Sequence, residues 1–206
     1  MLLAIDTSAG TAVAVVDLDG EVRSERFETE PMRHAEVVGR LIHEALEAAG
    51  CTPRDISTVA VGMGPGPFTG LRVGIAAARA FAFGRGIPTR PVVSHDAVAL
   101  DALEHGHAAD FVVVSDARRR ELYWSAYAGL DADGLPTRVD GPGLAKPAEL
   151  PHPERARLVA ESVSAAHLGR VAARAIAAGR AAAADEPLYL RSPDVTLSAG
   201  PKRVTG

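Results

Sequence analysis

Short apolar runs separated by turn residues dominate the first third of the chain. Leu2–Asp6 predicts a buried strand, and a Ser8-Ala9-Gly10 turn leads into a second strand over Thr11–Asp17. Asp19-Gly20 is a hairpin signal before a third strand, Glu21–Glu28. From Pro31 the period changes. Val37, Val38, Leu41, Ile42, Ala45 and Leu46 recur at helical spacing, so a helix is expected to about Ala49, stopped by Gly50. Thr58–Met63 is almost wholly apolar, as a strand covered on both faces would be. A Gly/Pro loop, Gly64–Gly70, precedes a second helix over Leu71–Gly84 and a fifth strand over Thr89–Val93. Hairpins followed by crossover helices predict a mixed sheet in an α/β fold, the order of a ribonuclease-H-like, actin-like lobe.

The second half is less regular. His95–Glu104 reads as a helix, Asp110–Ser115 and Glu121–Ala128 as strands, and 129–156 mostly as loop because Gly, Pro and Asp crowd it. Arg157–Ala160 is a further candidate strand, and Ser164–Ala184 an alanine-rich helix. The expected organisation is an N-terminal lobe over 1–94, a smaller second lobe over 95–198 and a mobile tail over 199–206.

Bulk composition narrows the function. Charged residues make up 23% of the 206 and apolar ones 47%, ordinary for a globular protein. No uncharged apolar stretch approaches the roughly 18 residues of a membrane span. The start, MLLAIDTSAG, lacks a basic segment and meets Asp6 early, which argues against a secretory signal and for a cytoplasmic protein. Cys51 is the single cysteine, so neither an internal disulfide nor a thiolate zinc site is available. A net charge of −4 is unlike a protein that grips nucleic acid alone, and Arg118-Arg119-Arg120 is the one tight basic cluster.

The most distinctive segment runs from Gly62 to Gly74, GMGPGPFTGLRVG, between a strand and a helix. Glycine-rich loops so placed often hold phosphate with backbone N–H groups. Here Pro65 and Pro67 have no N–H, and no Lys-Ser/Thr pair follows as a P-loop requires. A rigid turn presenting Phe68 and Thr69, with Thr69 as helix N-cap, is the competing reading. Gly74, Ala78 and Ala82 form a small-residue stripe that either packs on the chain's own sheet or admits a helix of a second chain. Asp6 and Thr11 flank the first turn, where actin-like phosphotransferases hold metal-nucleotide; an Asx-type cap is the plainer role.

The histidines give no metal pair. His34 and His43 lie on nearly opposite helix faces, His105 and His107 flank a glycine, and His95 has Ala99 at its i+4 position. Nothing in the spacing singles out a Ser-His-Asp set. Asp116 and Arg118 suggest a capped turn with a surface ion pair. Trp124 and Tyr127 fall on opposite faces of their strand, one expected in the core and the other nearer the surface.

Taken together, GMGPGPFTGLRVG, LLAIDTSAGTAVAVV, the RHAE of the first helix, SDARRRELYWSAY and PLYLRSPDV resemble the TsaB (YeaZ) family over most of residues 1–195. The resemblance implies an actin-like (ASKHA) fold and a role in forming N6-threonylcarbamoyladenosine at position 37 of tRNA. It implies no cofactor and no catalysis by this chain. The implied partner is a TsaD-like catalytic subunit, joined by a TsaE-like ATPase, with tRNA reached only through the complex and a homodimer in isolation. The catalytic relatives carry an HxxxH metal pair after the fifth strand, and Ala99 replaces its second histidine here. The implied interface involves Arg33, His34, Val38 and Leu41 of the first helix, the loop Gly64, Pro65, Gly66, Phe68, Thr69 and Gly70, and Leu71, Arg72, Gly74, Ala78 and Ala82 of the second. An ATP-dependent phosphotransferase using Asp6 and Thr11 is the alternative; a peptidase lacks any supporting motif.

Overall fold

A computed structural model describes residues 1–29 and 34–191. Strands β1 (Leu2–Asp6), β2 (Thr11–Val16) and β3 (Val22–Glu28) precede helix α1 (His34–Ala48). Strand β4 (Thr58–Gly62), helix α2 (Phe68–Arg85) and strand β5 (Thr89–Val92) complete the first sheet, ordered β3-β2-β1-β4-β5. Its hairpin pairs are antiparallel and its crossover pairs parallel, with Leu2 opposite Val16 on one side and Thr58 on the other. This is the mixed sheet of an actin-like, ribonuclease-H-like fold.

Large and small side chains alternate along the central strands and so give the sheet two unlike faces. Leu3, Ile5, Val13, Val15, Val59 and Val61 pack under α1 and α2. Ala4, Ala12, Ala14 and Ala60 make the opposite face shallow. Helix α4 (Ala165–Ala177) lies against that face, close enough that a Cβ on Gly169 would stand 2.6 Å from Val16 Cγ2. Helix α3 (Ser94–Glu104) leads to strands β6 (Asp110–Asp116), β7 (Leu122–Leu130), β8 (Pro136–Ala145) and β9 (Ala156–Val159), a second sheet ordered β8-β7-β6-β9. Phe111, Val113 and Tyr127 of that sheet share one buried cluster with α3, α4 and the alanine face.

Four expectations need correction. Residues 129–156 are not mainly loop, because β8 runs through them. Its glycines mark a close approach to an indole: a Cβ on Gly143 would fall 2.5 Å from the Trp124 ring. Its prolines are tolerated because β8 is an edge strand. Helix α4 stops at Ala177 rather than Ala184, since Gly179 turns left-handed (φ 62°) and Arg180 N–H closes onto Ala175 O. Helix α2 starts one turn earlier than Leu71, with Pro67 rather than Thr69 as N-cap; the Pro67 carbonyl accepts from Leu71 N–H at 3.0 Å. Finally, Trp124 and Tyr127 do take opposite faces, but both are buried. Trp124 packs with Val112, Val114 and Leu150, and Tyr127 stacks on Phe111, because both faces of β7 are covered. The expected start of α1 at Pro31 and the tail over 199–206 lie outside the described residues.

Candidate functional site

The loop after β4 is held from every side. Met63 N–H donates to Val92 O at 2.9 Å, and Leu188 N–H donates to Met63 O at 2.8 Å. Gly64 exchanges two bonds with the first residue of α3: its N–H donates to Ser94 Oγ at 3.1 Å and its carbonyl accepts from Ser94 N–H at 2.8 Å. Tyr123 Oη reaches Gly66 O at 3.3 Å, and Gly66 packs so tightly on Ser8 that a Cβ would sit 2.8 Å from the serine Cβ. Gly64, Pro65 and Gly66 are buried.

Asp6 is the knot beneath this loop. Its Oδ1 accepts from Ser8 N–H at 2.7 Å and from Ser8 Oγ at 2.5 Å, and its Oδ2 accepts from Ser94 Oγ at 2.5 Å. A Cβ on Gly62 would overlap Oδ2 at 1.9 Å. Buried carboxylates need such donors, and here the donors are structural ones that join β1 to α3. Thr11 is fully buried at the start of β2. The geometry spends the buried Asp6 carboxylate on the fold.

His95 is equally enclosed. Its Nδ1 lies 2.9 Å from Ser125 Oγ and its Nε2 3.0 Å from Ser115 Oγ, while Ala99 is completely buried. Burial, with the nearby Arg138 cation adding to it, holds the imidazole neutral with a pKa of about 3. The neighbouring Asp96 accepts from Tyr127 Oη at 2.7 Å and Arg138 Nε at 3.1 Å, and its own burial raises its pKa. The sign of the His95 effect is fixed. The unfolded chain takes up this proton near 6.5 and the folded one only near 3, so stability is intact above 6.5 and falls as pH drops towards 3. The loss is expected to reach about 2 kcal/mol between pH 6.5 and 5. Urea unfolding of His95→Gln, whose amide still faces both serines, should lack that component; identical pH slopes would refute the assignment.

The structure separates the expected interface residues into two groups. Val38 and Leu41 point into the core under α1, and Leu71, Gly74, Ala78 and Ala82 are buried on the inner face of α2. The stripe of small residues is therefore used within the chain. Thr7 Oγ1 donates to Gly70 O at 2.7 Å and accepts from Gly74 N–H at 3.1 Å, so a threonine hydroxyl is seated in the helix backbone itself. Thr69 and Arg72 are exposed, and Phe68 is half-buried. The Arg72 guanidinium lies 3.7 Å above the Phe68 ring, which also meets Tyr189 at 4.7 Å. Arg33 and the side chain of His34 fall outside the described residues.

Sequence reasoning missed the outward face of α2. Ala76, Ala80 and Phe83 are exposed at helical spacing, and the Phe83 ring is 89% accessible. A phenyl group so exposed beside two alanines, with the exposed Arg72 and Arg79 at its border, is a shallow strip on which a second helix could lie closely. The expected capped turn is present, with Asp116 Oδ1 accepting from Arg118 N–H at 2.8 Å, but no ion pair involving Arg118 occurs among the described residues. No described helix is long and apolar enough to cross a membrane.

Comparison with known proteins gives a consistent picture. The family model for tRNA N6-adenosine threonylcarbamoyltransferase, TsaD, matches residues 28–188. An uncharacterized protein of Mycobacterium tuberculosis is 40% identical over 207 residues, covering 94% of this chain and 92% of its own length. The tRNA threonylcarbamoyladenosine biosynthesis protein TsaB of Escherichia coli is 31% identical over 163 residues, covering 79% of this chain and 69% of that protein. A Pseudomonas aeruginosa crystal structure, described as similar to the peptidase YEAZ, superposes with a TM-score of 0.80 at 26% identity, over 92% of this chain and 99% of the other.

Proposed function

This chain belongs to the TsaB (YeaZ) family, and on that premise we propose that it serves tRNA N6-threonylcarbamoyladenosine formation as the non-catalytic partner of a TsaD-like subunit. The observation that carries the reading is the outward face of α2, a shallow strip of exposed alanines ending in the exposed Phe83 and bordered by Arg72 and Arg79, next to a buried and hydrogen-bonded loop. Fixing the loop through Ser94, Tyr123 and Leu188 before association removes an ordering cost from binding. The same strip is self-complementary enough to pair two copies when the catalytic subunit is absent. A TsaE-like ATPase joins the assembled pair, and tRNA is reached through the complex in the cytoplasm.

Catalysis is assigned to the partner. Asp6 is saturated by serine donors, and His95 has both ring nitrogens engaged. Co-purification tests the reading. Mixed with a TsaD-like subunit, this chain is expected to elute from size exclusion as a heterodimer at micromolar concentration. Separate elution of the two would count against it. Titration of the isolated chain with Mg-ATP is expected to show no tight site, and a micromolar one would favour a phosphotransferase instead.

A further inference from the structure

Arg72 stands near the N-terminal end of α2 and shares its outward stripe with Ala76 and Phe83, at i, i+4 and i+11. It is exposed, but its guanidinium is held in place. The group lies 3.7 Å above the Phe68 ring and 5.8 Å from the Tyr189 ring, and its Nε donates to Tyr189 Oη at 3.3 Å. Tyr189 is fixed in turn, because the segment 180–191 is tied back to the fold around it. Leu188 N–H donates to Met63 O at 2.8 Å, Asp185 pairs with Arg79 at 2.9 Å, and Arg191 donates to Ala117 O. Both Nη groups of Arg72 are left without a hydrogen-bond or ion-pair partner among the described residues. The other arginines of the helix differ: Arg79 has Asp185, and Arg85 donates to Pro53 O at 2.7 Å and to Arg54 O at 3.2 Å.

We propose that Arg72 is a preset anchor for a carboxylate on a helix of the catalytic partner, and that it selects such a helix over the α2 of a second copy of this chain. The inference deepens the scaffold reading and rests on it for the partner. A guanidinium held against aromatic faces keeps a planar fork that matches a carboxylate through two parallel N–H···O bonds. Its freedom is already restricted by Phe68 and Tyr189, so less entropy is lost when the pair forms. The two acids of the neighbouring segment leave the fork open. Asp185 is held by Arg79, and Glu186 pairs with no cation among the described residues. The charge of the helix itself sets the preference. α2 carries Arg72, Arg79 and Arg85 but no Asp or Glu, so a second α2 laid on this face offers Arg72 no anionic side chain. A phosphate would also match the fork, but the alanines and the Phe83 ring along the same stripe suit a packed helix rather than a polyanion. Phe83 lies about 16 Å along the axis from Arg72. The partner's carboxylate is therefore expected about three turns from the residue that covers the Phe83 ring.

The test is isothermal titration of the TsaD-like subunit with this chain at low and at physiological salt, each variant being checked for folding by its melting curve. Arg72→Gln is expected to weaken the heterodimer about tenfold and to flatten its salt dependence. Arg72→Lys, which keeps the charge but loses the fork, should recover only part of that loss. Tyr189 is a positioning residue. Tyr189→Ala should therefore weaken binding in the parent and have no further effect in the Arg72→Gln background. Self-association of the isolated chain, followed by sedimentation, should not weaken in Arg72→Gln. Unchanged heterodimer affinity and salt dependence in folded Arg72→Gln would overturn the proposal and leave the scaffold reading standing. Equal weakening of heterodimer and homodimer would also overturn it, by making Arg72 a general packing residue. Weaker tRNA binding by the assembled complex, with heterodimer affinity unchanged, would do the same by giving the fork to a phosphate. Failure of the unmodified chain to bind the TsaD-like subunit would remove the scaffold reading and this inference together.

Discussion

Gly74→Val is expected to destabilise the protein by about 3 kcal/mol, through overpacking and the loss of two buried hydrogen bonds. A Cβ at this position would lie 2.2 Å from Thr7 Oγ1 and 2.9 Å from Thr7 Cγ2, so the threonine must leave its seat. With it go the bond to Gly70 O and the bond from Gly74 N–H, both inside the contact between β1 and α2. For a chain of this length the change corresponds to a fall in melting temperature of roughly 6–12 °C. Gly39→Ala is the matched control. Gly39 is exposed on α1, and a Cβ there would meet nothing within 4 Å. Alanine at that position should stabilise by up to about 1 kcal/mol through helix propensity. Thermal unfolding of the two variants checks the pair. A Gly74→Val protein melting within about 2 °C of the parent would contradict the seated-threonine account.

The second large effect separates folding from assembly. Phe83→Glu combined with Ala80→Arg places two charges on the outward face of α2, where neither residue supports the core. The variant is expected to unfold at the parent temperature but to bind the TsaD-like subunit at least about 100-fold more weakly, as removal of a central aromatic anchor does. Leu41→Glu should behave in the opposite sense. Leu41 is buried under α1, so the fold fails before binding is in question. Isothermal titration against the catalytic subunit, read beside the melting curves, distinguishes the two. Full affinity in the Phe83/Ala80 variant would move the interface away from α2.

These contrasts also show how far the sequence could be read. The mixed sheet was legible because its strands are short apolar runs bounded by Gly, Asp and Ser, and because α1 has a clear helical period. Strand β8 was hidden because glycine and proline normally signal a loop. At Gly143 the small residue instead makes room for Trp124, a partner about twenty residues away in the chain. In α2 the small residues Gly74, Ala78 and Ala82 could face inward or outward, and only Thr7, brought in by β1, decides between the two. Once that stripe turns inward, the accessible face must be Ala76, Ala80 and Phe83, which no motif marks. Likewise Asp6 matched a nucleotide-binding position in sequence, but Ser94, far along the chain, completes its hydrogen bonds.

The central claim is that catalysis resides in the partner and depends on this chain. A reconstituted tRNA-modification reaction tests it most directly, with the TsaD-like subunit held constant and this chain present or omitted. The account predicts that N6-threonylcarbamoyladenosine formation collapses on omission, is restored by the unmodified chain and is not restored by the Phe83→Glu, Ala80→Arg variant. An equal rate of modification without this chain would contradict it.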